Sequence, residues 1–126
     1  MKILLVDDSK MMLQYVGALL TSEGHQIAAV QSLSEALVSY TTSRPEAIVT
    51  DFVLEGATGL EVLAAVFSIS GDRKPLAVIL TQGALTAADQ AKAESWGVGV
   101  IQKPIRGRED EFLHHIRAWL AASSKP

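Results

Sequence analysis

The chain is punctuated by short apolar runs that end in polar residues. Residues 2–6 (KILLV) are almost continuously apolar, as a strand covered on both faces must be. Asp7 and Asp8 end that run, and Ser9 offers an oxygen to cap a helix. Met12, Val16 and Leu19 then recur at helical spacing, and Gly24 closes the helix. Residues 26–30 predict a second strand. Ser32 or Ser34 opens a second helix through about Tyr40, with Pro45 beyond its end. Residues 47–50 predict a third strand, with Asp51 at its C-terminal end. A loop over 55–59 leads to a third helical stripe at Leu60, Leu63 and Phe67. Residues 71–75 are turn material, and 76–80 predict a fourth strand ending at Thr81. The span 85–96 is helical in pattern but rich in alanine, with a thin apolar stripe. Residues 98–101 predict a fifth strand running into Lys103 and Pro104. Phe112, Ile116, Trp119 and Leu120 mark a last helix over 108–121.

Five strands alternating with five helices predict an α/β domain: a doubly wound parallel sheet, helices on both faces, joined by right-handed crossovers. Residues 1–122 form this one domain, and 123–126 are expected to be a frayed tail. No internal repeat or low-complexity segment interrupts it. The Met11–Met12 pair, Trp96 and Trp119 read as packing residues. His25, His114 and His115 read as surface or satisfied residues. His114 and His115 are adjacent, so they lack the i, i+4 spacing of a metal pair on a helix.

Composition narrows the function more than the fold. The 126 residues suit one compact domain, and 48% hydrophobic with 20% charged residues is ordinary globular usage. A net charge of -3 offers no electrostatic footprint for nucleic acid, so no direct nucleic-acid binding is expected. The absence of cysteine excludes disulfides, thiolate metal sites and cysteine catalysis. The N-terminus lacks the long apolar region of a signal peptide, and no apolar stretch reaches the about 20 residues that span a bilayer. The expectation is a cytoplasmic protein with no membrane insertion.

Candidate chemistry follows from where the strands end. In open parallel sheets, ligands bind beyond the C-terminal strand ends. Strand one ends in Asp7 and Asp8, strand three in Asp51, strand four in Thr81 and strand five in Lys103. Three carboxylates, a hydroxyl and an ammonium should therefore gather at one place. Crowded carboxylates disfavour one another's ionisation, and a hard divalent cation relieves this. Mg²⁺ suits one or two carboxylates plus a phosphoryl oxygen. Lysine adds a point charge opposite an anion, and threonine donates to an oxyanion. Together these parts can stabilise phosphoryl transfer to an aspartate.

With those positions assembled, the chain resembles a response-regulator receiver domain of two-component signalling, similar to the single-domain chemotaxis-type regulators. The likeness rests on VDDSK near the N-terminus, IVTD ending at Asp51, Gly59, ILT ending at Thr81, and IQKP at Lys103 and Pro104, and it covers essentially the whole chain. It implies the flavodoxin-like strand order 2-1-3-4-5. It also implies that Asp51 is the phosphoacceptor. Asp8, Asp51 and the Val53 backbone carbonyl would ligate Mg²⁺, and Asp7 would act mostly through water. Lys103 would contact the phosphoryl group, with a cis bond to Pro104. Thr81 would link modification to shape change.

Measured against that family, several positions depart. Val100 stands where an aromatic switch residue is usual, and Gln82 where a small residue is usual. Val53 and Gly83 flank the path of an attacking water and cannot orient it by their side chains. Glu55 replaces a common proline, and Thr58 a common aspartate. The resemblance implies a switch rather than an enzyme in the usual sense, one that catalyses only its own phosphorylation and dephosphorylation. A histidine kinase or histidine phosphotransfer protein would be the donor. A downstream protein would read the helix over 85–96, the strand over 98–101 and the helix over 108–121. Alternatives are a phosphate sink or shuttle, or a receiver within a larger regulator or hybrid kinase. A Mg²⁺-dependent aspartate phosphohydrolase would need an acid at Val53. A flavin- or nucleotide-binding domain would need a phosphate loop where DDSK stands.

Overall fold

In a computed structural model, residues 1–123 are described. The elements in chain order are β1 (Lys2–Val6), α1 (Lys10–Ser22), β2 (Gln26–Val30), α2 (Leu33–Ser43), β3 (Ala47–Asp51), β4 (Val53–Leu54), β5 (Ala57–Thr58), α3 (Gly59–Ser70), β6 (Leu76–Thr81), α4 (Ala87–Ser95), β7 (Gly99–Gln102) and α5 (Glu109–Ser123). Five strands form one parallel sheet in the order β2-β1-β3-β6-β7, which is 2-1-3-4-5 counted over the long strands. The small strands β4 and β5 pair antiparallel, Val53 opposite Thr58 and Leu54 opposite Ala57. This hairpin begins two residues before the span 55–59 expected to be loop and takes up most of it.

Strand alternation divides the apolar residues between two layers. Leu4, Val6, Ile48 and Ile79 face α2, α3 and α4, whereas Ile3, Leu5, Val49 and Leu80 face α1 and α5. Both faces are covered, so the interiors of β1, β3 and β6 read as apolar runs. Trp96 and Trp119 pack half-buried, one against each layer. Met12 also packs, but Met11 is exposed. Successive helical positions lie about 100° apart, so one methionine faces the core and its neighbour faces water.

Helix boundaries follow local chemistry. The hydroxyls of Ser9, Ser32, Thr58 and Thr86 accept from the backbone N–H three residues on, at Met12, Glu35, Glu61 and Asp89. Thr58 and Glu61 complete a reciprocal capping box. The Thr86 cap starts α4 two residues later than its apolar pattern implies. α2 continues past Tyr40 to Ser43, where the hydroxyls of Thr41, Thr42 and Ser43 donate to carbonyls one turn back. The last helix includes Ser123, the first residue of the tail expected to fray over 123–126, and 124–126 lie outside the described residues.

Candidate functional site

Parallel register brings the strand ends level. Val6 lies beside Thr50, Asp51 beside Leu80, and Thr81 beside Gln102. Asp7, Asp51, Thr81 and Lys103 therefore converge as the strand endings imply. Two backbone bonds hold the rim: the N–H of Asp7 donates to Val30 O (3.1 Å), and that of Lys103 to Thr81 O (2.7 Å). The Lys103–Pro104 peptide bond is cis, as expected.

Carboxylate oxygens of Asp7, Asp8 and Asp51 lie within 4.8 Å of one another. Lys103 Nζ sits 2.9 Å from Asp51 Oδ1, with both side chains mostly buried. One ammonium does not balance three carboxylates. The residual negative charge and the all-oxygen donors fit a hard divalent cation. Asp7 carries the clearest imprint. It is only 4% exposed, and its pKa is raised above the ordinary carboxylate value, chiefly by burial and further by Asp51 and Asp8. The Ser9 N–H (2.9 Å) and the Lys103 charge oppose that rise.

The segment after Asp51 is tightly determined. Phe52 N–H donates to Leu80 O (2.8 Å), and Gly59 N–H donates to Phe52 O (2.7 Å). A Cβ at Gly59 would meet Asp51 O at 2.6 Å, so only glycine lets α3 begin this close to the end of β3. Leu54 is buried and anchors the hairpin, while Val53 is exposed beside the cleft. Asp8 is held from two sides. Its Oδ2 accepts the Glu55 N–H (2.9 Å), and its backbone carbonyl accepts Gln31 Nε2 (3.2 Å).

On the other side of the cleft, the Thr81 hydroxyl is buried and donates to Gly83 O (2.9 Å), within its own loop. Gln82, Leu85 and Asp89 also line the cleft with Asp51 and Lys103. Val100 is half-buried against the α2–α4 layer, where an alkyl group replaces the ring usual in the resembled family. The histidines stand elsewhere. His114 and His115 are exposed on α5, whereas His25 is half-buried. His25 Nδ1 has no hydrogen-bond partner among the described residues. Sequence reasoning missed the Glu55 and Gly83 backbone contacts, which have no side-chain signature.

The family model for the response regulator receiver domain matches residues 3–117. The chain belongs to this family. The receiver is 29% identical over 119 residues to the DNA-binding response regulator MtrA of Mycolicibacterium smegmatis, covering 94% of this chain and 50% of that protein. It thus spans about half the length of that curated relative. Among solved structures, Vibrio cholerae chemotaxis protein CheY4 is 27% identical, with a TM-score of 0.74 over 82% of this chain and 86% of that one. The non-phosphorylated HemR receiver domain of Leptospira biflexa has a TM-score of 0.84 over 99% and 97% of the chains; at 21% identity it speaks to the fold alone. The family indicates a signalling switch rather than a conventional enzyme. No helix among the described residues is long and apolar enough to cross a membrane.

Proposed function

We propose that this receiver is a phosphorylation-operated switch in which Asp51 accepts a phosphoryl group with Mg²⁺ bound. The observation that carries this reading is the cluster of the three carboxylates of Asp7, Asp8 and Asp51, with Lys103 as its one close cation among the described residues. Asp8, Asp51 and the Val53 carbonyl would hold the ion, with Asp7 acting through water. When bound, the ion supplies positive charge for the oxygens of the transferring group. Asp51 attacks the phosphorus of a phosphohistidine. The O–P bond forms, the P–N bond breaks, and the imidazole nitrogen leaves with the electron pair. Lys103 then leaves its carboxylate partner for the new phosphoryl oxygens. Thr81 exchanges its bond to Gly83 O for one to the phosphoryl group, drawing the 82–86 loop inward. Outside its own phosphorylation and dephosphorylation the domain catalyses nothing.

The donor is a histidine kinase or histidine phosphotransfer protein in the cytoplasm. The partner reads α4, β7 and α5. Val100, Gln102, Pro104, Ile105, Arg108 and Phe112 line a cleft on that surface, which supports the assignment. Direct contact with nucleic acid is not part of this reading. A small phosphodonor or beryllofluoride should modify the protein only with Mg²⁺ present, with one added phosphoryl group by intact mass for the phosphodonor. Full labelling of Asp51→Asn at the parental rate would exclude Asp51 as acceptor.

A further inference from the structure

The hairpin after the acceptor strand reaches back to β1. Its tip donates the Glu55 N–H to Asp8 Oδ2 at 2.9 Å. We infer that this backbone N–H is a positioning group that fixes Asp8 for cation binding, and that residue 55 thereby sets the receiver's Mg²⁺ affinity. The inference deepens the proposed switch and rests on that reading of the acidic pocket.

Three observations carry it. Asp8 is exposed, so packing alone does not restrict its carboxylate. A carboxylate has two oxygens, and one N–H on Oδ2 fixes its orientation while leaving Oδ1 free for a cation. The donor itself is rigidly placed, because the buried Leu54 anchors one side of the turn and the Thr58–Glu61 capping box fixes the other. One short segment thus carries Asp51, the Val53 carbonyl and the clamp on Asp8. Partners that orient metal ligands typically change metal affinity by about 10–100-fold when removed.

The turn also supplies a clean test. Gly56 has φ 79°, and Arg44 is the only described non-glycine residue with positive φ. Negative φ at Glu55 followed by positive φ at Gly56 is the type II pattern, which accepts proline at its second position. Leu54 is in a strand, as a residue before proline should be. Glu55→Pro therefore removes the N–H while the turn survives. Glu55→Ala loses the same side-chain carboxylate but keeps the N–H.

MgCl₂ titrations followed by amide chemical shifts should show about tenfold weaker binding in Glu55→Pro. Glu55→Ala should stay within about twofold of the parent, because its side-chain charge lies in solvent. In the metal-free proteins, the ¹³C shift of the Asp8 carboxyl should move in Glu55→Pro and hold in Glu55→Ala. Parental affinity in Glu55→Pro, or equal weakening in both variants, overturns the inference alone. A parent that binds no Mg²⁺ at all overturns the proposed switch and this inference with it.

Discussion

Two helices leave the same end of the sheet and lean on the same face, yet they are fastened very differently. α3 follows Asp51 and buries Gly59, Leu60, Val62, Leu63, Val66 and Ser70. α4 follows Thr81 and buries only Ala93. Near its C-terminal end, Trp96 meets Phe67 of α3 edge to face, with ring centroids 5.6 Å apart. The N-terminal half of α4 has no such hold. Local stability follows buried apolar contact, so α3 should open rarely and α4 often. The Asp51 side of the cleft is thus firmly packed, and the Thr81 side is loosely packed.

Leu63 is the firmest point of α3 on the sheet. Leu63→Ala should cost about 2–5 kcal/mol in urea unfolding, the usual range for a fully buried leucine. Amide exchange in α4 should be faster than in α3, and beryllofluoride should change it over 82–95. A response confined to the 51–58 segment would point instead to a phosphate sink or shuttle.

Smaller changes sharpen the contrast. Ala93→Gly, at the one buried side chain of α4, should cost about 1 kcal/mol globally, by helix propensity. It should also raise exchange in α4 by more than in α3, which feels only the global loss. Thr81→Val removes the hydroxyl bond to Gly83 and should cost about 0.5–1.5 kcal/mol. Asp51 should still be labelled in this variant, but α4 exchange should no longer respond. Last, Val53→Asn should hasten loss of the phosphoryl group about fivefold, the rate worth of one roughly 1 kcal/mol hydrogen bond that orients water. Unchanged or slower decay would sink that argument.

Much of this was legible because strand endings carry position as well as identity. Asp7, Asp51, Thr81 and Lys103 each follow an apolar run, and a parallel register brings such endings level. The hairpin was hidden because two-residue strands have no period to detect, although Glu55-Gly56 is turn chemistry. The start of α4 was misplaced because Leu85 looks like part of an apolar stripe. The Thr86–Asp89 spacing, a capping signal, marks the start better. Met11 misled because adjacency in sequence is not adjacency on a helix. The Glu55 and Gly83 contacts are made by backbone atoms, which every residue type supplies, so no residue identity announces them.

The ion pair between Lys103 and Asp51 has a consequence for the order of events. Three carboxylates and one ammonium leave the cleft with a formal charge of about -2 at neutral pH if all are ionised, so an anionic donor arriving first is repelled. A divalent cation brings the sum to about zero and opens the way. Under the proposed switch, the cleft would then behave as a gate with two inputs, silent to phosphodonors until a cation is present. Starved of that cation, such a receiver would ignore its donor rather than answer it faintly.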